Sequence, residues 1–255
     1  TGWEAQETYD YLDELERRLG VTIERVGVEG GMVARAEYRH GFPARMQRWC
    51  TRELKLEPLK EFHEWLAADR DAETVSITGV RAGESPKRAL FAAWEDDETW
   101  DGYVWRPLLN WKVEDVLQIH TRHDVPVNPL YQAGFDRVGC WPCIFSSKHE
   151  IQLLSEYAPE RIASIARLER RLTESRRLAN AERPGRYSLD LATFFQTRGP
   201  GGGGKAMGIE EVVDWSRTTY GGRQLPMFNE PPSGGCFRWG LCEVPPAVLE
   251  EDEND

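Results

Sequence analysis

A chain of 255 residues with 40% hydrophobic content and ten tryptophans can bury a sizeable core, and its length fits one domain or one domain with an appendage of helices and loops. Its longest apolar runs are a few residues, too short to cross a bilayer, and the opening TGWEAQETYDYL lacks the basic flank and apolar run of an export signal; a soluble, cytoplasmic protein with no membrane association is expected. The net charge of −11, much of it from the closing EEDEND, argues against indiscriminate binding to phosphate backbones but leaves room for a local basic face. Five cysteines, an odd number that includes one C-x-x-C pair, are far from a disulfide scaffold and point to a reducing compartment.

In chain order, residues 4–19 put Thr8, Tyr11, Leu12, Leu15 and Leu19 on one helical stripe, with acids in the first turns and Gly20 as the stop. Residues 21–28, VTIERVGV, read as a strand, and the glycines and charges of 29–41 as a loop. The segment 42–66 reads as two helical pieces hinged at Pro58, with Cys50 in the first. Residues 74–80 form a short apolar run bounded by charge, the pattern of a buried parallel strand, which leads into GVRAGESPKRA. A polar, aromatic stretch with Trp94, Trp100, Tyr103 and Trp105 precedes a helix over 112–123, capped at Asn110 or a neighbour, with Val113, Val116, Leu117 and a packed His120 facing inward. Pro126 and Pro129 stop regular structure ahead of the cysteine loop. Residues 150–181 are helical with a break near Pro159, and Ile162, Ile165, Ala166, Leu168 and Leu172 form the inner face. A loop over 182–208, a helix over 209–217 and a Gly/Pro-rich end complete the chain. Alternation of this kind predicts an α/β fold, a mostly parallel sheet flanked by helices, with a helical and irregular C-terminal extension.

The chemistry concentrates in YQAGFDRVGCWPCIFSSK, residues 131–148, where Cys140 and Cys143 can share one metal or one disulfide. With Cys50 and the tail cysteines Cys236 and Cys242, four thiolates from separated loops suffice for a tetrahedral zinc site or an iron–sulfur cluster, either of which would pin the irregular tail. Dithiol redox exchange is the rival; Cys-Trp-Pro-Cys lacks the hydrophobic strand that such a motif follows. In the loop after the strand 74–79, Arg81, Lys87 and Arg88 sit where open α/β sheets bind ligands and are able to hold phosphate or sulfate. Arg81, Glu84, Ser85 and Arg88 are therefore the candidate nucleotide or anion site, with a plain turn capped by Ser85 as the alternative. Residues 199–205 imitate a phosphate-binding glycine loop, but Ala206 stands where a Ser or Thr must meet magnesium, and the stretch reads as a flexible loop. Eight arginines between Arg161 and Arg186 read either as a solvated helix face with glutamate partners or as a nucleic-acid surface over Arg161–Arg177.

Four segments in order, RWCTRELKLEPL (48–59), ITGVRAGESPKRA (77–89), RPLLNWKVEDV (106–116) and VGCWPCIFSSKHE (138–150), together resemble the phosphoadenosine phosphosulfate (PAPS) reductase family of the PP-loop, or adenine nucleotide alpha hydrolase, superfamily. The tail motifs GGRQ and GCFRWGLCE resemble a bacterial or phage-type branch. The resemblance implies a PAPS reductase-like α/β domain over 1–150, a C-terminal extension over 151–248 that packs on a cluster, and an acidic tail over 249–255. It implies a [4Fe–4S] cluster held by Cys50, Cys140, Cys143 and either Cys236 or Cys242, with zinc as the alternative, and an adenine nucleotide, ATP or PAPS, as substrate. Cys50 stands alone where the cluster-containing relatives carry a cysteine pair. The family's nucleotide loop, an SGGxDS-like stretch after the first strand, does not occur, and TGWEAQETYDYL resembles the segment that follows the second strand, as if the sequence started late. The implied function is reductive or sulfur-transfer chemistry with an electron or sulfur donor protein. DNA or tRNA sulfur modification, and a non-catalytic binding module with structural zinc, are the alternatives.

Overall fold

The computed structural model describes residues 1–97, 102–196 and 206–218. Helix α1 (Gln6–Leu19) ends at Gly20 in a left-handed conformation, φ 64°, which only glycine adopts at little cost. It lies against a short helix α6 (Pro129–Gln132), and its Thr8 and Tyr11 hydroxyls donate to the carbonyls of Val138 and Pro126 at 3.2 and 2.9 Å.

The segment 21–28, expected as a strand, forms none. The segment is tied instead to α1: Ile23 N–H donates to Glu16 Oε1 at 2.8 Å, and Arg25 pairs with Asp13 and Glu16. The β-branched residues carry a strand pattern, but the Ile23 donor finds a carboxylate rather than a neighbouring strand. The expected loop 29–41 contains helix α2 (Gly31–Tyr38). The two glycines that suggest a loop lie at its start: Gly31, φ 50°, passes so close to Thr1 that a Cβ would stand 2.3 Å from that carbonyl oxygen. Met32 and Ala36, one helical turn apart, face the core.

Residues 49–70 are helical throughout: α3 (Trp49–Thr51), a π-helical turn (Arg52–Leu56) and α4 (Glu57–Arg70). The irregularity lies one turn before Pro58, which occupies the first turn of α4, where its missing N–H costs no hydrogen bond. Strand β1 (Val75–Ile77) leaves Val75 42% and Ile77 64% exposed, so the expected buried strand is at the surface among the described residues. The aromatic stretch after it, which carries no strand signal because Glu95–Asp97 interrupt it, forms a hairpin of β2 (Trp94–Asp97) and β3 (Gly102–Trp105). The sheet runs in the order β1-β3-β2, with β1 parallel and β2 antiparallel to β3. It is small and mixed.

Helix α5 (Val113–Arg122) is capped not at Asn110 but by Asp115, which accepts from Lys112 N–H at 2.8 Å. His120 Nδ1 lies 3.1 Å from Val125 O, the packed role expected of it. Pro129 starts α6 rather than stopping structure, since Asn128 accepts from Leu130 N–H as its cap. The expected break at Pro159 separates α7 (Lys148–Tyr157) from α8 (Pro159–Glu182), and all five inner-face residues are buried. A two-residue pairing of β4 (Phe195–Gln196) with β5 (Ala206–Met207) and helix α9 (Ile209–Ser216) follow. One buried cluster runs from Trp3 and Met32 through Cys50, Leu130, Phe135 and Trp141 to the inner faces of α7, α8 and α9. No helix of the described residues is long and apolar enough to cross a membrane.

Candidate cysteine centre and anion loop

The cysteine loop is held by the residues before α1. Glu4 and Cys140 form an antiparallel bridge, Trp141 N–H donates to Trp3 O at 3.0 Å, and Trp3 Nε1–H donates to Pro142 O at 3.0 Å. Arg161 closes the arrangement from α8: its guanidinium donates to Trp141 O and Trp3 O, both at 2.9 Å, and lies 4.0 Å over the Trp3 ring. The Trp141–Pro142 peptide, inside the C-x-x-C, is cis. Phe135 and Tyr157 meet the Trp141 ring edge-on.

Cys50, Cys140 and Cys143 are free thiols, Cys50 buried and the other two half-buried. The Cys50 thiol is pushed above its usual value, by burial first and then by Cys140, with Cys143 adding to it while Thr51 and Lys55 act against. Three thiols from two distant stretches thus share one neighbourhood, in which Cys140 and Cys143 disfavour the ionisation of Cys50. Thr1 Oγ1 lies 3.6 Å from Cys140 Sγ, and Ser146 Oγ accepts from Cys143 N–H at 3.1 Å. Among the described residues no group of three or more His, Cys, Asp or Glu is arranged to hold a metal ion, and Cys236 and Cys242 lie outside the described residues. Two features suit an added group of sulfur chemistry: the thiolate donor set itself, and the buried Trp141 indole N–H, which has no partner among the described residues.

The loop after β1 is the second site. Thr78 N–H continues the ladder to Trp105 O at 2.9 Å, yet its buried hydroxyl has no partner among the described residues. Ala82 N–H donates to Leu109 O at 2.7 Å, which docks the loop on the RPLLNW turn. Arg81 is buried, with Nε 3.7 Å from Glu84, and Arg88 pairs with the same carboxylate. Both cations therefore share one carboxylate, Glu84, which offsets only part of their charge. Ser85 caps a turn, accepting from Arg88 N–H at 3.2 Å, ahead of a short 3₁₀ turn rather than a helix. Tyr131 of α6 has its hydroxyl pushed up mainly by burial, with Arg81 and Glu84 acting in opposite senses.

The arginine-rich helix divides in use. Arg161 is a structural tie, and Arg176 donates to His40 O and Leu191 O. Arg171 pairs with Glu37 at 2.7 Å. Arg167 and Arg170 carry no ion pair among the described residues, and with Trp3, Val33, Arg161 and Arg171 they line an open groove of about 570 Å³.

Sequence reasoning alone misses Trp3, Glu4 and Arg161. A signal for Arg161 exists: it lies on the same stripe as Ile165, Leu168 and Leu172, where a solvated arginine has no place. No local signal marks Trp3.

Fold and site define a small mixed α/β unit with a charged loop at the carboxyl end of its first strand and a thiol-rich centre clamped by an aromatic–arginine knot. The phosphoadenosine phosphosulfate reductase domain matches residues 1–146, and the chain belongs to that family. An uncharacterised 37.8 kDa protein of Escherichia phage 186 is 32% identical over 95% of this chain and 87% of its own length. An adenosine 5′-phosphosulfate reductase of Allochromatium vinosum is 34% identical over 56% of this chain and 55% of its own length. An uncharacterised protein of Methanocaldococcus jannaschii is 32% identical over 63% of this chain and 32% of its own. The chain thus spans most of the phage protein but about half of the reductase.

Proposed function

We propose that this protein is an adenine-nucleotide-dependent enzyme of sulfur metabolism that acts reductively or by sulfur transfer on a phosphosulfate-type nucleotide in the cytoplasm. The observation that carries the reading is the meeting of Cys50, Cys140 and Cys143 around one core, in a chain whose first 146 residues belong to the PAPS reductase domain family. The finer fold assignment, a mostly parallel adenine nucleotide alpha hydrolase-like sheet, draws support from the parallel β1–β3 pairing. The functional division places the reductase-like domain at 1–150, an extension at 151–248 and an acidic tail at 249–255.

Arg81 and Arg88, with Glu84 and Ser85, would bind the nucleotide's anionic group at the carboxyl end of β1, where ligands of α/β sheets sit. Entry of a phosphate or sulfate competes with Glu84 for both guanidinium groups and leaves the Thr78 hydroxyl a partner to meet. Cys50, Cys140 and Cys143, with Cys236 or Cys242, would hold a [4Fe–4S] cluster, which supplies electron transfer or a fixed local charge when bound. The chain's own contribution is to exclude water with Trp141 and Phe135 and to fix the loop through Arg161. An electron or sulfur donor protein is the implied partner.

The test is incubation of the full chain, purified without oxygen, with adenosine 5′-phosphosulfate or its 3′-phosphorylated form and a thiol reductant. Release of AMP (or adenosine 3′,5′-bisphosphate) and sulfite, lost in Arg81→Ala, is the expected result. Absence of both turnover and saturable binding, with either nucleotide, would sink the proposal.

The groove on α8 favours one second reading, sulfur modification of DNA or tRNA. Because Arg161 and Arg171 are already engaged, only Arg167 and Arg170 remain for phosphates. Binding of duplex DNA or tRNA should then fall with salt at a log–log slope of magnitude about 2, and Arg167→Ala/Arg170→Ala should abolish it. Absence of salt-dependent binding by the parent chain removes this reading.

A further inference from the structure

Beside the cysteine centre, residues 44–47 close a tight turn in which Ala44 N–H donates to Gln47 O at 3.2 Å and Gln47 N–H to Ala44 O at 3.0 Å. The turn sets Arg45 and Arg48 over a single aromatic ring. Arg45 lies 5.5 Å and Arg48 5.8 Å from the centre of Phe145. Arg48 is two residues before Cys50, and Phe145 two residues after Cys143, so the cluster borders both halves of the centre.

Acidic side chains outnumber basic ones, 43 to 32, and several cations around the site share acid partners. Arg81 and Arg88 share Glu84, Arg35, Arg39 and Arg52 share Glu53, and Arg106 has Glu95. Arg45 and Arg48 are exposed and have no ion pair among the described residues, and the Met46 between them is 82% exposed. Two guanidinium groups gathered on one ring repel each other, and the ring's negative face offsets only part of that. A tetrahedral oxyanion offset by both forks would relieve it, and arginine's planar fork suits sulfate and phosphate better than lysine's single ammonium does.

We propose that Arg45 and Arg48, steadied by Phe145, form a binding clamp for a sulfate- or phosphate-bearing anion next to the cysteine centre, separate from the loop after β1. The identification of that anion as the sulfo or phospho end of a nucleotide rests on the function proposed above; the clamp itself does not. It gives the site two anion-binding stations, one partly offset by Glu84 at rest and one open.

The test compares the full chain with Arg45→Ala/Arg48→Ala and with Arg45→Lys/Arg48→Lys, by calorimetric titration with pyrophosphate and with adenosine 5′-phosphosulfate. Both side chains are exposed, so the alanine pair should fold with an unchanged melting midpoint; the lysine pair serves if it does not. The clamp predicts that both probes bind the parent chain, roughly 10- to 100-fold more weakly to the alanine pair, with partial recovery in the lysine pair. Pyrophosphate binding that depends on the two arginines, without phosphosulfate binding, supports the clamp and overturns the nucleotide assignment. Phosphosulfate binding equal in parent and alanine pair overturns the clamp and leaves the proposed function standing. A parent chain that binds neither probe overturns the clamp.

Discussion

Arg161 shows how one side chain can hold a site together from a distance in sequence. It spans two backbone carbonyls that belong to segments 138 residues apart and covers an indole as well. Burial, the largest influence on it, lowers its pKa, and Glu4, Cys140 and Tyr9 act the other way. Two charge-assisted hydrogen bonds to buried carbonyls and a close cation–π contact make its removal costly: Arg161→Ala should lower unfolding free energy by about 2–4 kcal/mol and speed the alkylation of Cys140. Arg161→Lys should recover less than half of the loss, because one ammonium cannot reach both carbonyls in the same plane. Denaturant unfolding together with a thiol-labelling rate checks both. A change below about 0.5 kcal/mol, the range of an ordinary surface substitution, would show that the knot is incidental.

At the scale of elements, two buried carboxylates tie segments together and respond to pH in opposite senses. Glu53, at the π-turn under Cys50, accepts from Arg39 and Arg52 and faces Arg35. Burial alone would raise its pKa, yet the arginines outweigh burial and hold it below the usual carboxylate range. Its stabilisation is present above the unfolded value of about 4.3 and is lost as pH falls through the folded one. Glu169 accepts from the backbone N–H groups of Phe194 and Ile209 at 2.8 and 2.9 Å, pinning β4 and α9 to α8. There burial wins and raises the pKa, so its contribution is full below about 4.3 and declines as pH rises through the raised value. The stability gap between parent and Glu53→Gln should therefore shrink on acidification, from about 1–2 kcal/mol at pH 7 given its partly exposed arginines. The gap between parent and Glu169→Gln should grow on acidification. Glu169→Ala orphans two buried N–H groups and should cost roughly 2–4 kcal/mol at neutral pH. Melting curves from pH 3 to pH 8 read both trends, and parallel pH profiles for the two Gln variants would refute the assignment.

For the molecule as a whole, what is legible in the sequence is what local periodicity carries. The stripe Ile162, Ile165, Leu168, Leu172 and the stop at Pro159 define α8 and its buried face, and Gly20 ends α1 as its position implies. Residues 21–28 carry the strand pattern but no strand, because pairing depends on a neighbour that the segment does not contain. Residues 94–105 carry no clear pattern and yet pair, because Arg106 reaches Glu95 at 2.6 Å and the Trp94 and Tyr103 rings stack at 5.5 Å. The site follows the same rule. The C-x-x-C and the loop with Arg81 and Arg88 are visible as motifs, and Glu84 stands at i,i+3 and i,i+4 spacing from those arginines, whereas the approach of Cys50 and the carbonyls that Arg161 reaches are long-range facts that no spacing encodes.

The central claim is that the cysteines hold an iron–sulfur centre, and the most direct test is anaerobic purification of the full chain with a visible spectrum and iron, sulfide and zinc counts. The same measurements belong on five variants, each cysteine in turn changed to alanine. A brown protein with about four iron and four sulfide per chain, lost in Cys50→Ala, Cys140→Ala, Cys143→Ala and one of Cys236→Ala and Cys242→Ala, is the predicted result. Iron retained in both Cys140→Ala and Cys143→Ala would contradict it, and a colourless protein that carries about one zinc would contradict it and leave a zinc-stapled binding module as the better account.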